Sequence, residues 1–587
     1  MNVFASDILL SLADAPFHSQ RELAARSGLS LGLVNRSLRE LKGEGLLDAS
    51  FSLTDAAFQL LASRRPRQAV ILAAGYGMRM VPVSTTPKAL LEVRGERLIE
   101  RLIRQLQAVG VSDITVVVGY RKELFEYLID TFGVRLVYNP DYAGKNNLVS
   151  LSLVASRLEN CYVLPCDLWC EENPFRRNEL YAWYLVSEEE DPASDVRVSR
   201  GRELVRVPAA AVGNRMIGIS YLCGDGGEHV RERILALSAD SRNRAAFWED
   251  ALYDGDRMLV CARSFPADDA VEINTYEQLR ELDAASNSLQ ADAIRCITEV
   301  FAADPDEITD ISVLKKGMTN RSFLFRVRDD RYIMRIPGEG TDRLISRPQE
   351  AAVYAAIRGK GLCDDPVFLD PASGYKITRY LPGARVCDAR REEDLVRCME
   401  KLRGFHAMKL QVPHRFDLFG QIVFYESLRP EKTSLYRDYD QTREAVFRLK
   451  PWLDVQEKDL CLTHIDAVRD NFLFYPSPDG SGEALQLLDW EYAGMQDPHV
   501  DLAMFAIYAF YDRGELDHLI DLYFEGSCPA ETRVKIYAYV AVCGLLWSNW
   551  CEYKSSLGVE FGEYSLRQYR YAKDFCRLAE AERERLA

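Results

Sequence analysis

Residues 68–79 read Gln68-Ala69-Val70-Ile71-Leu72-Ala73-Ala74-Gly75-Tyr76-Gly77-Met78-Arg79, a short apolar run that breaks into two glycines. An apolar run of this length, bounded by a turn signal, predicts a buried strand entering a loop. Outward from it the pattern alternates. The spacing predicts a helix over Ile99 to Val109, a strand over Ile114 to Val118, a helix over Glu123 to Thr131 and a strand over Leu136 to Tyr138. Strands that alternate with helices predict a parallel, Rossmann-like sheet covered on both faces, here from about Gln68 to Leu282.

The loop has the parts needed to hold a nucleoside triphosphate. Gly75 and Gly77, with Ala73 and Ala74 before them, let backbone amides approach phosphate, while Arg79 and Lys88 supply fixed positive charge for a reacting α-phosphate and a leaving pyrophosphate. A later strand, Tyr162 to Pro165, ends in Cys166-Asp167, which puts a carboxylate where a Mg²⁺ ligand is wanted at the carboxyl edge of a sheet.

Over residues 68–282 these features resemble the sugar-nucleotidyltransferase-like superfamily, and within it the bacterial CTP:phosphocholine cytidylyltransferases. The resemblance also rests on Tyr138-Asn139-Pro140 with Asn146-Asn147, Met216-Ile217-Gly218-Ile219-Ser220-Tyr221, Phe247-Trp248-Glu249 and Val271-Glu272-Ile273-Asn274. It implies CTP as a substrate, with Asn146 and Asn147 among its contacts. It implies Mg²⁺ on Asp167 and on position 274, where the family usually carries a second carboxylate and this chain has Asn274, which still offers a neutral oxygen. Trp183 is similar to the family's cation-packing tryptophan, with Tyr221 as a weaker partner; a desolvated ring face contributes about 2 kcal/mol to holding a quaternary ammonium.

A second motif lies far downstream. His464-Ile465-Asp466-Ala467-Val468-Arg469-Asp470-Asn471 is followed by Leu487-Leu488-Asp489-Trp490-Glu491. Phosphoryl transfer needs a carboxylate to orient the attacking hydroxyl and an asparagine and an aspartate to hold the magnesium that bridges the phosphates, roles that Asp466, Asn471 and Asp489 suit. His464 reads as an organiser of its loop. Upstream, the turn Lys316-Gly317-Met318-Thr319-Asn320 suits closing over phosphates, and Arg335 on the next strand has Glu350 on the following helix as its expected ion-pair partner. A hairpin followed by long aromatic-rich helices predicts a small sheet lobe and a helical lobe.

With Trp490-Glu491-Tyr492-Ala493-Gly494, Asp497-Pro498 and Asp501-Leu502-Ala503, residues 300–587 resemble the choline/ethanolamine kinase family, a protein-kinase-like fold, and especially the bacterial choline kinases. The resemblance implies ATP and choline as substrates. It also implies an ammonium site on Trp547 and Trp550, three apart on one helical face, with Tyr492 as a further ring and Glu491 as an acidic neighbour.

Residues 1–64 read as a winged helix-turn-helix: helices Ser19 to Arg26 and Ser30 to Leu41, then a wing over Leu46 to Leu53. Arg36 and Arg39 lie off the apolar stripe of the second helix, where they would meet DNA. Packing against the enzyme, or forming a homodimer, is the other reading, because the whole chain carries a formal charge of −16. Asp283 to Ala302, covering a linker over residues 283–299, reads as a connecting helix.

At 587 residues the chain is longer than one core serves, so about three or four domains are expected in a multidomain α/β and α+β protein. The fourteen cysteines are scattered without a CxxC pair, which fits reduced thiols in a cytoplasm. No stretch reaches about 18 apolar residues, so no membrane insertion is expected. The combined expectation is phosphorylation of choline by ATP, then cytidylyl transfer from CTP to phosphocholine, with Mg²⁺ in both steps. Ethanolamine, another amino alcohol or a phosphonate, and a regulator whose enzyme-like domains only sense choline, are the alternatives.

Overall fold

The computed structural model describes residues 1–587 except 76–85, 143, 193, 195, 200, 207–211, 256, 267–268, 290, 315–319, 339–340, 364, 430–432, 478–479, 481, 558 and 560. Of the residues singled out above, Gly77, Arg79 and the turn residues Lys316, Gly317, Met318 and Thr319 therefore lie outside the described residues. The chain divides into two compact units, Met1–Arg295 and Cys296–Ala587.

The first unit opens with helices α1 (Val3–Asp14), α2 (Gln20–Ser27), α3 (Leu31–Gly43) and α4 (Asp55–Ser63). Each begins where a polar side chain accepts a backbone N–H from its first turn: Asn2, Ser19, Ser30 and Thr54. Such a cap contributes about 1 kcal/mol and fixes where each helix starts. Gly28, at φ 66°, turns the chain between α2 and α3. The wing is a single bridge, Leu47 to Leu53, across a turn closed by the Asp48 carboxylate.

The larger part of this unit is a sheet built on β1 (Gln68–Ala73), β2 (Asp113–Val118), β3 (Arg135–Tyr138), β4 (Cys161–Pro165), β5 (Trp183–Asp191), β6 (Val196–Val198), β7 (Glu203–Arg206), β8 (Gly213–Leu222) and β9 (Arg257–Phe265). Its order is β3-β2-β1-β4-β8-β5-β9-β7-β6. The expected parallel arrangement is present in β3-β2-β1-β4, but β8 runs antiparallel to both β4 and β5, so the sheet is mixed. Alternate residues feed separate cores. Ile71, Ile103, Trp183 and Tyr221 lie on one face, whereas Leu72, Leu148, Tyr184 and Trp248 lie on the other.

The winged helix is packed onto this sheet. Leu180 enters its hydrophobic core, the Tyr181 hydroxyl donates to Asp7 at 2.8 Å, and Arg202 pairs with the same carboxylate. The expected helix over Asp283 to Ala302 is shorter, covering Asp292–Phe301. Before it, Ser288 accepts the Glu92 N–H at 2.9 Å and Asp283 accepts that of Arg94 at 2.6 Å. These bonds tie residues 283–288 to the loop at 92–94, so the segment before the helix runs as a connection docked on the sheet domain.

The second unit has a five-stranded sheet of β10 (Ile308–Val313), β11 (Asn320–Val327), β12 (Asp330–Pro337), β13 (Phe368–Leu369) and β14 (Lys376–Arg379), ordered β10-β11-β12-β14-β13. Helix α5 (Arg347–Ile357) follows β12. The helical lobe is centred on α6 (Ala530–Ser556), buried on all sides from Val534 to Cys551, and on α7 (Glu563–Leu586). The two approach closely at Gly544, where a Cβ would stand 2.7 Å from the Gln568 carbonyl oxygen, so only glycine fits there. No helix among the described residues is long and apolar enough to cross a membrane.

Candidate active sites

The carboxyl ends of β1 and β4 open into a cavity of about 750 Å³ lined by Ala73, Ala74, Gly75, Lys88, Asp167 and Asn274, among others. Asp167 and Asn274 are brought side by side by a short ladder, Leu168–Cys170 against Ala270–Glu272, closed by the Ile273 N–H donating to the Asp167 carbonyl at 2.9 Å. The Lys88 ammonium stands 3.1 Å from Asp167 Oδ2 and donates to Asn274 Oδ1 at 2.5 Å. The two oxygens thus converge on one cation position.

Asn146 and Asn147 line the same cavity, but their amides are engaged by backbone. Asn146 donates to the Ala245 carbonyl at 3.1 Å, and Asn147 accepts the Trp248 N–H at 2.8 Å, which braces the Phe247-Trp248-Glu249 loop against the cleft.

Trp183 and Tyr221 are not in this cleft, a correction to their expected role. Strand alternation sends Trp183 to the face opposite Tyr184, where it is fully buried. Its indole N–H donates to Glu179 at 3.0 Å and the Arg263 guanidinium covers its ring at 4.6 Å, so a cation from the protein already holds that π-face. Tyr221 points to the seam with the winged helix and donates to the Arg64 carbonyl. The aromatic lining of the cleft is Tyr142, Tyr184, Phe247 and Tyr253, with the carboxylates of Glu249 and Asp250 beside Phe247. Burial, and then the charge of Asp250, raises Glu249 to about 7, with the Tyr184 hydroxyl donating to it at 3.3 Å. Sequence reasoning singled out the Phe-Trp-Glu motif without giving it a place in the cleft, which Phe247 and Glu249 line.

In the second unit a cavity of about 570 Å³ gathers Asp466, Asn471, Asp489, Arg335, Tyr492, Trp547 and Trp550, as expected from the motifs. Asn471 donates to the Asp466 carbonyl at 2.8 Å and to its carboxylate at 3.2 Å. Ile465 (φ 69°) and Asp489 (φ 61°) both sit in the left-handed region, which costs about 1–3 kcal/mol at a non-glycine residue. The loop is held there by Asp501, which accepts the His464 N–H at 3.0 Å and the Ile465 N–H at 2.7 Å and lies 2.9 Å from His406. His464 is fully buried and its Nε2 lies 2.8 Å from the Leu488 carbonyl, so it ties the two halves of the site together. Burial first, then the charges of Asp489 and Glu491, push Asp466 up to about 8.

Arg335 pairs with Glu350 as expected, one contact measuring 2.9 Å, and stands 3.9 Å from Asp489. Glu491 is corrected: it is not at the aromatic wall but accepts from Asn320 at 2.8 Å and pairs with Arg347 at 3.3 Å. Asn320 lines the cavity, with its amide committed to Glu491 and to Arg347. Arg347 and Lys376 complete this buried network around Glu350; sequence reasoning missed both.

The opposite wall is aromatic. Tyr492 meets Trp547 edge to face at 5.4 Å, Trp547 meets Trp550 likewise at 5.4 Å, and Tyr508 and Tyr564 extend the wall. Edge-to-face packing leaves ring faces turned outward, as a cation site needs, although the Lys554 ammonium already stands 6.0 Å over the Trp550 ring. On the winged helix, Arg36 and Arg39 are exposed on α3. Among the described residues, no group of three or more His, Cys, Asp or Glu side chains could hold a metal alone.

Comparison with known proteins agrees with this organisation. Residues 69–245 match the MobA-like NTP transferase domain, residues 310–537 the phosphotransferase enzyme family, and residues 1–48 a winged helix-turn-helix DNA-binding domain. The choline-phosphate cytidylyltransferase of Streptococcus pneumoniae is 33% identical over 222 residues, 37% of this chain and 96% of that protein. Protein LicA of Haemophilus influenzae is 26% identical over 264 residues, 43% of this chain and 96% of LicA. The crystal structure of choline kinase LicA from Streptococcus pneumoniae aligns at 29% identity and a TM-score of 0.43, covering 48% of this chain and 98% of that one.

Proposed function

We propose, for a chain that belongs through its middle domain to the nucleotidyltransferase family of the Streptococcus pneumoniae choline-phosphate cytidylyltransferase, two consecutive reactions: ATP-dependent phosphorylation of choline, then cytidylyl transfer from CTP to phosphocholine. The observation that carries this reading is the shared cavity in which Asp466, Asn471 and Asp489 face a wall of Tyr492, Trp547 and Trp550. A hydroxyl-orienting carboxylate and a cation-binding wall in one cavity suit a small alcohol bearing a quaternary ammonium.

In the first reaction the choline ammonium rests on the aromatic wall and its hydroxyl reaches Asp466, which orients it and accepts its proton as the oxygen attacks the γ-phosphate of ATP, the bond to the β-phosphate oxygen breaks and ADP leaves. Arg335 turns positive charge toward that end of the cavity, fixed by Glu350. Mg²⁺ fits both sites by donor chemistry. Asn471 and Asp489 would hold it in the second unit and Asp167 and Asn274 in the first, since this ion takes one or two protein oxygens and completes its shell with water and substrate phosphate. When bound, it neutralises charge on the phosphates.

In the second reaction a phosphate oxygen of phosphocholine attacks the α-phosphate of CTP and pyrophosphate leaves. Lys88 supplies positive charge at the cleft, and Tyr184, Phe247 and Glu249 receive the ammonium. The winged helix supports a further role in contacting DNA, since Arg36 and Arg39 remain exposed while the domain is fixed to the enzyme.

The direct test is to incubate the full chain with Mg²⁺, choline, ATP and CTP and follow the products by phosphorus NMR and mass spectrometry. CDP-choline and pyrophosphate are expected, with phosphocholine as the intermediate. Absence of every product with choline, ethanolamine and related alcohols would leave a sensing regulator as the better reading.

Glu249 gives a pH signature. With its carboxyl at about 7, it is neutral below that pH and charged above it. The KM for phosphocholine is therefore expected to fall as pH rises from 6 to 8. Glu249→Gln should flatten that profile and raise KM about tenfold at pH 8, the value of one charge-assisted contact of about 1.4 kcal/mol. An unchanged profile in the variant would remove Glu249 from the ammonium site.

A further inference from the structure

The basic stretch Ser63-Arg64-Arg65-Pro66-Arg67, which joins α4 to β1, has no part in either reaction. Its backbone is pinned. Asn160 donates to the Ser63 carbonyl at 3.0 Å, the Arg67 N–H donates to the Asn160 carbonyl at 3.0 Å, and Tyr221 donates to the Arg64 carbonyl. Arg64 is absorbed locally, its guanidinium 3.8 Å from the Cys223 sulfur.

Arg65 and Arg67 instead line a cavity of about 490 Å³, with Phe58 and Leu61 of α4 on one side and Asn178 of the catalytic domain on the other. Neither guanidinium has a hydrogen-bond or ion-pair partner among the described residues, and no carboxylate lines the cavity. Elsewhere in the unit Arg94, Arg101, Arg104, Arg157 and Arg202 each pair with an acid, so their charge is offset where that of Arg65 and Arg67 is not. Phe58 is 56% exposed, so its ring is open to a ligand.

We propose that this cavity, at the seam between winged helix and catalytic domain, binds a nucleoside di- or triphosphate. Two guanidiniums on a pinned backbone match phosphate oxygens, which arginine meets with paired N–H donors. The Phe58 ring offers a stacking face to a base, and the Asn178 amide offers a donor and an acceptor to its polar edge. The volume falls inside the roughly 300–1,000 Å³ range of small-molecule sites. An exposed ring beside the two guanidiniums suits a base together with its phosphates, and so favours a small nucleotide over a DNA backbone, which is met by cations alone. The bound nucleotide touches α4, the linker and residue 178 together, so it stabilises the seam by mass action.

Hydrogen exchange of the full chain, read by mass spectrometry in EDTA, tests this with CTP, CDP-choline, pyrophosphate and a DNA duplex as separate probes. CTP or CDP-choline, or both, should protect peptides over residues 55–67 and 174–180 saturably, and the pattern tells substrate from product as the source. The pair Arg65→Ser and Arg67→Ser should raise the half-protecting concentration at least tenfold, with peptides at the two catalytic cavities responding as before. Phe58→Ala should weaken the nucleotides more than pyrophosphate. Circular dichroism and the melting temperature show that the variants are folded. Equal protection in parent and arginine variant, or protection confined to the catalytic cavities, overturns the proposal. Equal potency of pyrophosphate overturns the nucleotide assignment, and an effect of the arginines on duplex binding alone makes the stretch a DNA contact instead.

Discussion

Asp466→Asn is expected to lower kcat for choline phosphorylation about a thousandfold, the scale of a positioned general base, while cytidylyl transfer to supplied phosphocholine continues at the parent rate. The asparagine keeps the shape and an oxygen for the Asn471 amide, which now reaches the Asp466 carbonyl at 2.8 Å and carboxylate at 3.2 Å. Stability separates lost chemistry from a damaged fold. In the folded, metal-free protein the carboxyl stands at about 8, well above an ordinary carboxylate. Between the two pKa values the folded form keeps a proton that the unfolded form has released. Stability therefore falls as pH rises across that window, and the penalty is complete above about 8. A neutral amide carries no such penalty, so the variant should melt higher than the parent without metal, by a margin that grows from pH 5 to pH 8. Activity within tenfold of the parent, or a lower melting temperature at pH 8, would sink the assignment.

What was legible in the chain follows from how local each signal is. Asp466, Asn471 and Asp489 are set by a loop, a turn and a strand end close together in sequence, so their convergence could be anticipated, and the structure places them in one cavity. Trp183 could not be assigned the same way. One residue separates it from Tyr184, and which of the two faces the cleft depends on the pairing of β5 with β8 and β9, a contact across distant segments. Glu491 lies two residues from Asp489, yet the turn Trp490–Tyr492 carries it into a buried ion network with Arg347 and Glu350. Arg347 and Lys376 bear no motif; a buried Glu350 surrounded by three cations is visible only when α5 meets β12 and β14. The parallel half of the sheet followed from alternation of strands and helices, whereas β8 lies between β4 and β5 by a long crossover that periodicity does not encode.

Asp167→Ala is expected to reduce cytidylyl transfer about a thousandfold, comparable to losing a central electrostatic group, and to make phosphocholine accumulate from choline and ATP. Two effects add. One oxygen donor is lost to Mg²⁺, and Lys88, now 3.1 Å from that carboxylate, keeps among the described residues the neutral Asn274 oxygen at 2.5 Å. Asn274→Asp runs the other way. A second carboxylate on the same cation position should lower the Mg²⁺ concentration for half-maximal rate severalfold, and displacement of bound Mn²⁺, followed by its paramagnetic resonance signal, should show the same tightening without turnover. The added charge also holds Lys88 more firmly, so the rate at saturating metal should rise less than the affinity. If Asn274→Asp leaves metal affinity unchanged while Asp167→Ala abolishes transfer, position 274 serves to hold Lys88 and Asp167 alone binds the metal.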